Sequence, residues 1–183
     1  MNLKNQFLIA MPDLEASPFD QAVVLMVDHN DEGAMGLVLN QPGTTSRKLL
    51  FEKLKLPSDK LSQPEQPILL GGPVAPERGF VLHDGARDWE NTFDISDRLK
   101  LTTSTDILDS IAHGKGPENW LFALGYSGWD AGQLEEEIRQ NAWLTSPSDR
   151  ALIFDQPVEK RWQLALSQLG VQPDQITAFH GNA

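Results

Sequence analysis

AVVLMVDHNDEGAMGLVLNQP, residues Ala22 to Pro42, is the stretch whose reading decides the fold. Its apolar runs Val23–Val27 and Met35–Leu39 predict two strands. Between them Asp28-His29-Asn30-Asp31-Glu32-Gly33 reads as a polar turn, so the stretch is expected to be a hairpin with a heavily decorated tip. Gly36 lies inside the second strand, where a glycine marks a bulge or the close approach of another backbone. Asn40-Gln41-Pro42 ends the pairing, because proline has no amide hydrogen to donate and Asn favours turns.

Outward from this hairpin, the chain has 183 residues, 40% of them hydrophobic, enough to bury a full core within one domain. A single domain over residues 1–183 is expected, with loose ends near 1–5 and 174–183. The chain has no cysteine, which excludes disulfides, thiolate metal sites and a cysteine nucleophile. The apolar run Phe7–Met11 is too short for a signal peptide, and no stretch approaches the roughly 20 apolar residues of a membrane span. A soluble, cytoplasmic protein with no membrane partner is the expectation. Fifteen Lys and Arg against 26 Asp and Glu give a formal charge of −11, and the basic residues cluster no further than pairs such as Arg47-Lys48 and Lys160-Arg161. Binding to nucleic acid depends on neutralising phosphates, so direct binding is not expected.

Before the hairpin, Phe7–Ala10 reads as a short strand ended by Met11-Pro12-Asp13, with Asp13–Asp20 as a loop. After it, Leu49, Leu50 and Leu54 fall at helical spacing, with Thr45 or Ser46 as the cap and Pro57 closing the helix. The polar segment Ser58–Pro67 is the best linker candidate. A strand beginning at Ile68 runs into the double-glycine turn Gly71-Gly72 before Val74, and strands follow at Gly79–Asp84, Thr92–Ile95 and Leu99–Thr102, then a helix beginning near Thr103 or Ser104 and burying Ile107, Leu108 and Ile111. Trp120–Leu124 reads as a strand covered on both faces. Gly125–Asp130 then reads as a turn into a helix over Ala131–Gln140, whose inner face carries Leu134 and Ile138. Trp143-Leu144 is extended, and Ala151–Phe154 is a last strand. A final helix starts near Pro157, carries Val158, Trp162, Ala165, Leu166 and Leu169 on one face, and stops at Gly170, before a loose tail beyond Pro173. Grouped strands with inserted helices favour α+β.

Several ordered motifs make the sequence similar to the YqgE/AlgH family of bacterial proteins. They are FLIAMP at Phe7–Pro12, His29-Asn30 followed by GAMGLVLNQP ending at Pro42, GGPV at Gly71–Val74 and GFVLH at Gly79–His83. TTSTD at Thr102–Asp106, ALGYSGWDAGQLEEEI from Ala123 and NAWL ending at Leu144 complete the set, and the resemblance runs from about residue 6 to 170. It implies an α+β fold with a mixed, mostly antiparallel, partly barrel-like sheet and outer helices, in the cytosol. It transfers no catalytic residues and no cofactor. One branch is described as a regulator of alginate synthesis, which implies a link to transcriptional regulation.

The chemistry-bearing residues support few specific readings. Gly125-Tyr126-Ser127-Gly128 lacks the G-x-S-x-G spacing of a nucleophile elbow, and neither His113 nor His180 falls in a recognisable triad order with it. Glu135, Glu136 and Glu137 occupy the first turns of the helix that follows, so a phosphate there meets carboxylates already in place. Asp28, His29, Asp31 and Glu32 match no EF-hand or HExxH spacing, and no metal is expected. His83 reads as a structural histidine. Of the tryptophans, Trp89, Trp120, Trp143 and Trp162 read as core, and Trp129 as the one able to reach a surface site. A binding or regulatory protein with a protein or small-molecule partner is therefore expected. The alternative is a hydrolase or transferase pairing His29 or His83 with Ser127 or Ser104. The binding reading brings at least two of three glycine-marked turns together in a shallow cleft, drawing on His29, Asn30, Asn40, Gly71, Gly72, Ser127 and Trp129.

Overall fold

One long strand, Trp120–Asp130, is the spine of the sheet in this computed structural model, which describes residues 1–11, 19–172 and 174. In chain order the strands are β1 (Gln6–Ala10), β2 (Val23–Asn30), β3 (Gly33–Val38), β4 (Pro42–Ser46), β5 (Pro67–Leu70), β6 (Val74–Asp84), β7 (Thr92–Asp94), β8 (Leu99–Thr102), the spine β9, and β10 (Trp143–Pro147). The helices are α1 (Arg47–Lys53), α2 (Asp106–Ala112), α3 (Gln133–Arg139), α4 (Arg150–Phe154) and α5 (Arg161–Gln168), with a 3-10 turn at Val158–Lys160. The sheet runs β10-β1-β2-β3-β9-β6-β8-β7 and curls into a half-barrel. Every pair on that path is antiparallel, and the mixed character comes from β5, which runs parallel to β9 and antiparallel to β4.

The spine exchanges β5 for β3 at Gly125. Trp120–Leu124 pairs with β6 and β5, Tyr126 with Val74 of β6, and Ser127–Asp130 with β3. At the division Gly125 has φ +74° and lies against the Gly72 carbonyl, where an added Cβ would stand 2.5 Å from that oxygen. Such a conformation and approach suit glycine alone. The expectation of a turn over Gly125–Asp130 is thus corrected: these residues continue the strand, because β3 satisfies their backbone.

Alternation along the strands fills both faces. Phe7, Ile9, Val23, Leu25, Leu37 and Leu39 enter one buried cluster with α4 and α5. Leu8, Ala10, Val24, Met26 and Val38 enter a second cluster on the other face, with Leu134 of α3. A third cluster packs Phe51 of α1 and Ile107 and Ile111 of α2 against Trp120 and Phe122. Leu61 belongs to that cluster too, so the polar segment read as a linker carries a core anchor. All five tryptophans are buried.

The central hairpin is longer than the sequence suggests. Asp28, His29 and Asn30 continue β2 and pair with Met35, Ala34 and Gly33, leaving Asp31-Glu32 as the tip. Between Met26 and Asp28 the register shifts by one residue, a bulge at Val27 opposite Gly36. An added Cβ on Gly36 would stand 2.6 Å from Val24 Cγ1, the close approach that a strand glycine signals.

Three further expectations change. Ala151–Phe154 is helical, because the Asp149 side chain accepts from the Ala151 N–H and caps a short helix. The helix expected near Thr103 begins at Asp106, whose carboxylate accepts from Ser104 Oγ and from the Glu90 and Ile107 N–H groups. Leu169 is half exposed, since it follows the last turn of α5, and Gly170 takes φ +72° immediately after it. Ser46 caps α1 through the Leu49 N–H, one of the two residues expected there. The loop predicted over Asp13–Asp20 lies mostly, and the tail beyond Pro173 with His180 almost wholly, outside the described residues.

Candidate functional site

An open groove of about 970 Å³ lies where the β2–β3 hairpin, the end of β9 and the start of β6 face β7 and β8. Its apolar lining is Met35, Val74, Phe80, Phe93 and Tyr126, with Arg78 among them. β6 supplies Val74, Arg78 and Phe80, on either side of a register irregularity between Val74 and Gly79 that lets all three reach the groove. The Tyr126 ring meets Phe80 edge-on at 5.9 Å, and the Arg78 guanidinium stands 5.5 Å from the Phe80 ring centre. Phe93 on the short edge strand β7 is 59% exposed, the largest exposure of any aromatic ring lining the groove. Lys4, Asp28, Glu32 and Asp130 add charge around it.

The bulge at Val27 decides what faces this groove. In an unbroken strand Val27 and His29 would share a face; the extra residue reverses the order. Val27, Asp28 and Asn30 line the groove, while His29 turns towards Leu3 and α3. There the Leu3 N–H donates to His29 Nδ1 at 3.0 Å, so Nε2 carries the ring proton and donates to Glu135 Oε1 at 2.7 Å. The Glu135 backbone N–H and this histidine hold the Glu135 carboxyl below its usual range.

The other sequence candidates fall in three places. Gly71, Gly72 and Ser127 touch one another: fully buried Ser127 donates from Oγ to the Gly71 carbonyl at 3.1 Å, and Gly72 lies on the Tyr126–Ser127 peptide. Trp129 borders the groove, but its ring stacks on Phe19 and meets Trp143 edge-on, and its indole N–H donates to Glu137 Oε2 at 2.7 Å. Asn40 stands apart, accepting from the Val23 N–H and donating to the Gln21 carbonyl.

None of the four side chains considered for covalent chemistry hydrogen-bonds to another. His83 is wholly buried, with Nδ1 donating to the Asp84 carbonyl and Nε2 accepting from the Thr102 hydroxyl at 2.7 Å. Burial pushes its pKa down, against the Asp84 carbonyl that favours the ring proton. Ser104 donates to Asp106 at 2.5 Å. Nucleophilic catalysis needs a hydroxyl within reach of its base. Among the described residues no three His, Asp or Glu side chains gather as a metal site. None of their helices is long and apolar enough to cross a membrane.

Sequence reasoning did not pick out Val74, Arg78, Phe80, Phe93 or Tyr126 as a surface. Starting that strand at Gly79 left Val74 and Arg78 outside it, and the register irregularity between Val74 and Gly79 leaves no regular period to find them by.

Fold and site together define an α+β protein on a curled half-barrel that carries an open, apolar-floored groove. The chain belongs to the AlgH-like family, whose model matches residues 7–174. A UPF0301 protein of Saccharophagus degradans is 48% identical over 183 residues, covering 100% of this chain and 90% of the relative. Another, from Thioalkalivibrio sulfidiphilus, is 46% identical over 182 residues, covering 100% and 97%. The solution structure of the AlgH protein from Pseudomonas aeruginosa matches with a TM-score of 0.80 at 45% identity, over 100% of this chain and 97% of that one. A crystal structure of a Corynebacterium diphtheriae protein matches at TM-score 0.74 over 91% and 86% of the two chains, and at 18% identity it speaks for the fold alone.

Proposed function

We propose that this chain is a cytosolic, single-domain binding protein that acts by engaging a small molecule or a short segment of a partner in the β6–β9 groove. The observation carrying this reading is the groove's composition: apolar side chains of β3, β6, β7 and β9 converge on one open concavity, with Arg78 set beside them. An apolar floor with polar and charged side chains around it gives a ligand both buried area and orienting contacts, as binding sites do. The formal charge of −11 argues against direct contact with nucleic acid, so a regulatory role would run through protein or metabolite contacts.

The test is a fragment screen read by amide chemical shifts on the intact chain. Hits should move Met35, Phe93 and Tyr126 together, and Phe93→Asp should abolish those shifts while leaving the rest of the spectrum in place. Hits scattered over the surface, or unaffected by Phe93→Asp and by Arg78→Glu, would refute the groove as the binding element.

A further inference from the structure

β7 is an end strand of the sheet, and among the described residues it pairs only with β8. The Thr103 N–H donates to the Asn91 carbonyl and the Ile95 N–H to the Leu99 carbonyl, each at 2.9 Å. In an antiparallel ladder hydrogen-bonded and non-bonded residue pairs alternate. Asn91, Phe93 and Ile95 therefore turn their backbone groups to β8, while Thr92 and Asp94 turn theirs outward to the free edge.

Thr92, Phe93 and Asp94 all line the groove. Phe93 contributes its exposed ring, and Leu101, opposite it on β8, lines the groove with it. The side chains of Thr92 and Asp94 are engaged on the other face of the ladder. Thr92 Oγ1 stands 2.8 Å from Thr102 Oγ1, and Asp94 accepts from Lys100 Nζ at 2.5 Å. What these two residues offer at the edge is main chain. The charge around them is lopsided. Asp28, Glu32 and Asp130 are exposed in the same lining, and among the described residues none has a cation within ion-pair distance. Against these three and Asp94 the lining sets two cations, Lys4 and Arg78.

With the groove as the binding element, we infer that β7 takes up an extended segment of a partner protein as an added strand, one whose groove-facing positions combine an apolar with a basic side chain. Main-chain bonds to Thr92 and Asp94 supply the pairing, and every second side chain faces the groove, as strand addition requires. An apolar side chain packs beside Phe93 and Leu101, and a basic one reaches the carboxylates of Asp28, Glu32 and Asp130. The formal charge of −11 repels a second copy of this chain from the same edge and draws a cationic segment to it.

The experiment titrates the full chain with a blocked peptide of about five residues, the usual length of a strand, in which lysine, phenylalanine and lysine alternate with threonine, and reads amide chemical shifts. Saturable shifts are expected at Thr92 and Asp94 together with Phe93 and Tyr126. Only one edge of an extended peptide can face β7. N-methylation of one alternate set of its residues should therefore weaken binding about tenfold or more, the factor for a lost hydrogen bond, and N-methylation of the other set should leave it unchanged. Glutamate in place of both lysines should abolish binding. Glu32→Gln and Asp130→Asn, both at exposed positions, should each weaken it about two- to fivefold. Equal effects of the two methylation sets, or a glutamate peptide that binds as tightly as the lysine peptide, overturn the proposal. So do shifts at Thr92 and Asp94 that follow protein concentration alone, which would give the edge to a second copy. Fragments that move Met35, Phe93 and Tyr126 while the lysine peptide fails to bind would overturn strand addition and leave the groove as the binding element; if neither binds, both readings fall.

Discussion

Gly125→Ala should separate two effects that glycine substitutions ordinarily confound. At φ +74° an alanine pays the left-handed penalty of about 1–2 kcal/mol. Its Cβ would also stand 2.5 Å from the Gly72 carbonyl oxygen and 3.1 Å from that of Val74, both backbone atoms that cannot rotate away. Relieving that overlap means shifting β9 or the segment before β6, an overpacking cost of about 1–3 kcal/mol. The two contributions sum to roughly 2–5 kcal/mol. Gly132 is the internal control, with φ +78° and nothing within 4 Å of an added Cβ. Gly132→Ala should therefore lose only the conformational part, about 1–2 kcal/mol. Urea unfolding followed by tryptophan fluorescence measures both, and unchanged m-values would keep the comparison in the native state. Equal losses in the two variants, within about 0.5 kcal/mol, would refute the close approach of Gly72 to the spine and with it the account of why β9 divides there.

Other outcomes follow from single contacts. Trp162→Ala should cost about 3–5 kcal/mol, since the ring is buried in the α5 cluster and its indole N–H donates to the Ala10 carbonyl; a loss below about 1 kcal/mol would make α5 peripheral. Glu137→Ala leaves the buried indoles of Trp129 and Trp143 without their shared acceptor, a loss of about 2–6 kcal/mol at about 1–3 for each donor; an effect no larger than that of Glu136→Ala would argue against the pairing. Burial works to raise the Asp84 carboxyl, but donors from Asn119 and Arg150 outweigh it and hold the group below its usual range. A depressed carboxylate stabilises the fold above its unfolded pKa of about 3.9 and loses that contribution as pH falls through the lower folded value. The stability gap between the native chain and Asp84→Asn should therefore be widest near neutrality and close below about pH 4; a gap independent of pH would refute it.

How much of this was legible in the sequence depended on whether a residue's partner was near it. Val23–Val27 and Met35–Leu39 were readable because two apolar runs flanking a short polar segment pair locally, and Gly36 was readable as a close approach. Asp28–Asn30 and Gly125–Asp130 looked like turns because polar residues and glycines rarely extend a strand unaided. Asp28–Asn30 are extended by the hairpin's own pairing with Gly33–Met35 past the bulge, while Ser127–Asp130 are extended by β3, some ninety positions away (Gly36 with Ser127). Ala151–Phe154 was ambiguous for another reason: four apolar residues have no measurable period, and the Asp149 cap decided the outcome. The family was readable because its motifs are short, ordered and many.

The candidate site was harder to read, and the reason lies in what its polar residues do. His29, Ser127 and Trp129 draw attention because their side chains can do chemistry, yet each is buried with its polar atoms bonded inside the protein. Two of the three bond to carboxylates two residues apart on α3, His29 to Glu135 and Trp129 to Glu137. These bonds fasten the helix to the back of the strands that form the groove. A fixed back leaves the front to residues with little individual signature, among them Val74, Arg78 and Phe93. The bulge at Val27 is the device that makes this division, since one added residue sends His29 to the helix and leaves Asp28 and Asn30 at the groove. His29, Ser127 and Trp129 thus fix the shape of the wall from which the groove residues project.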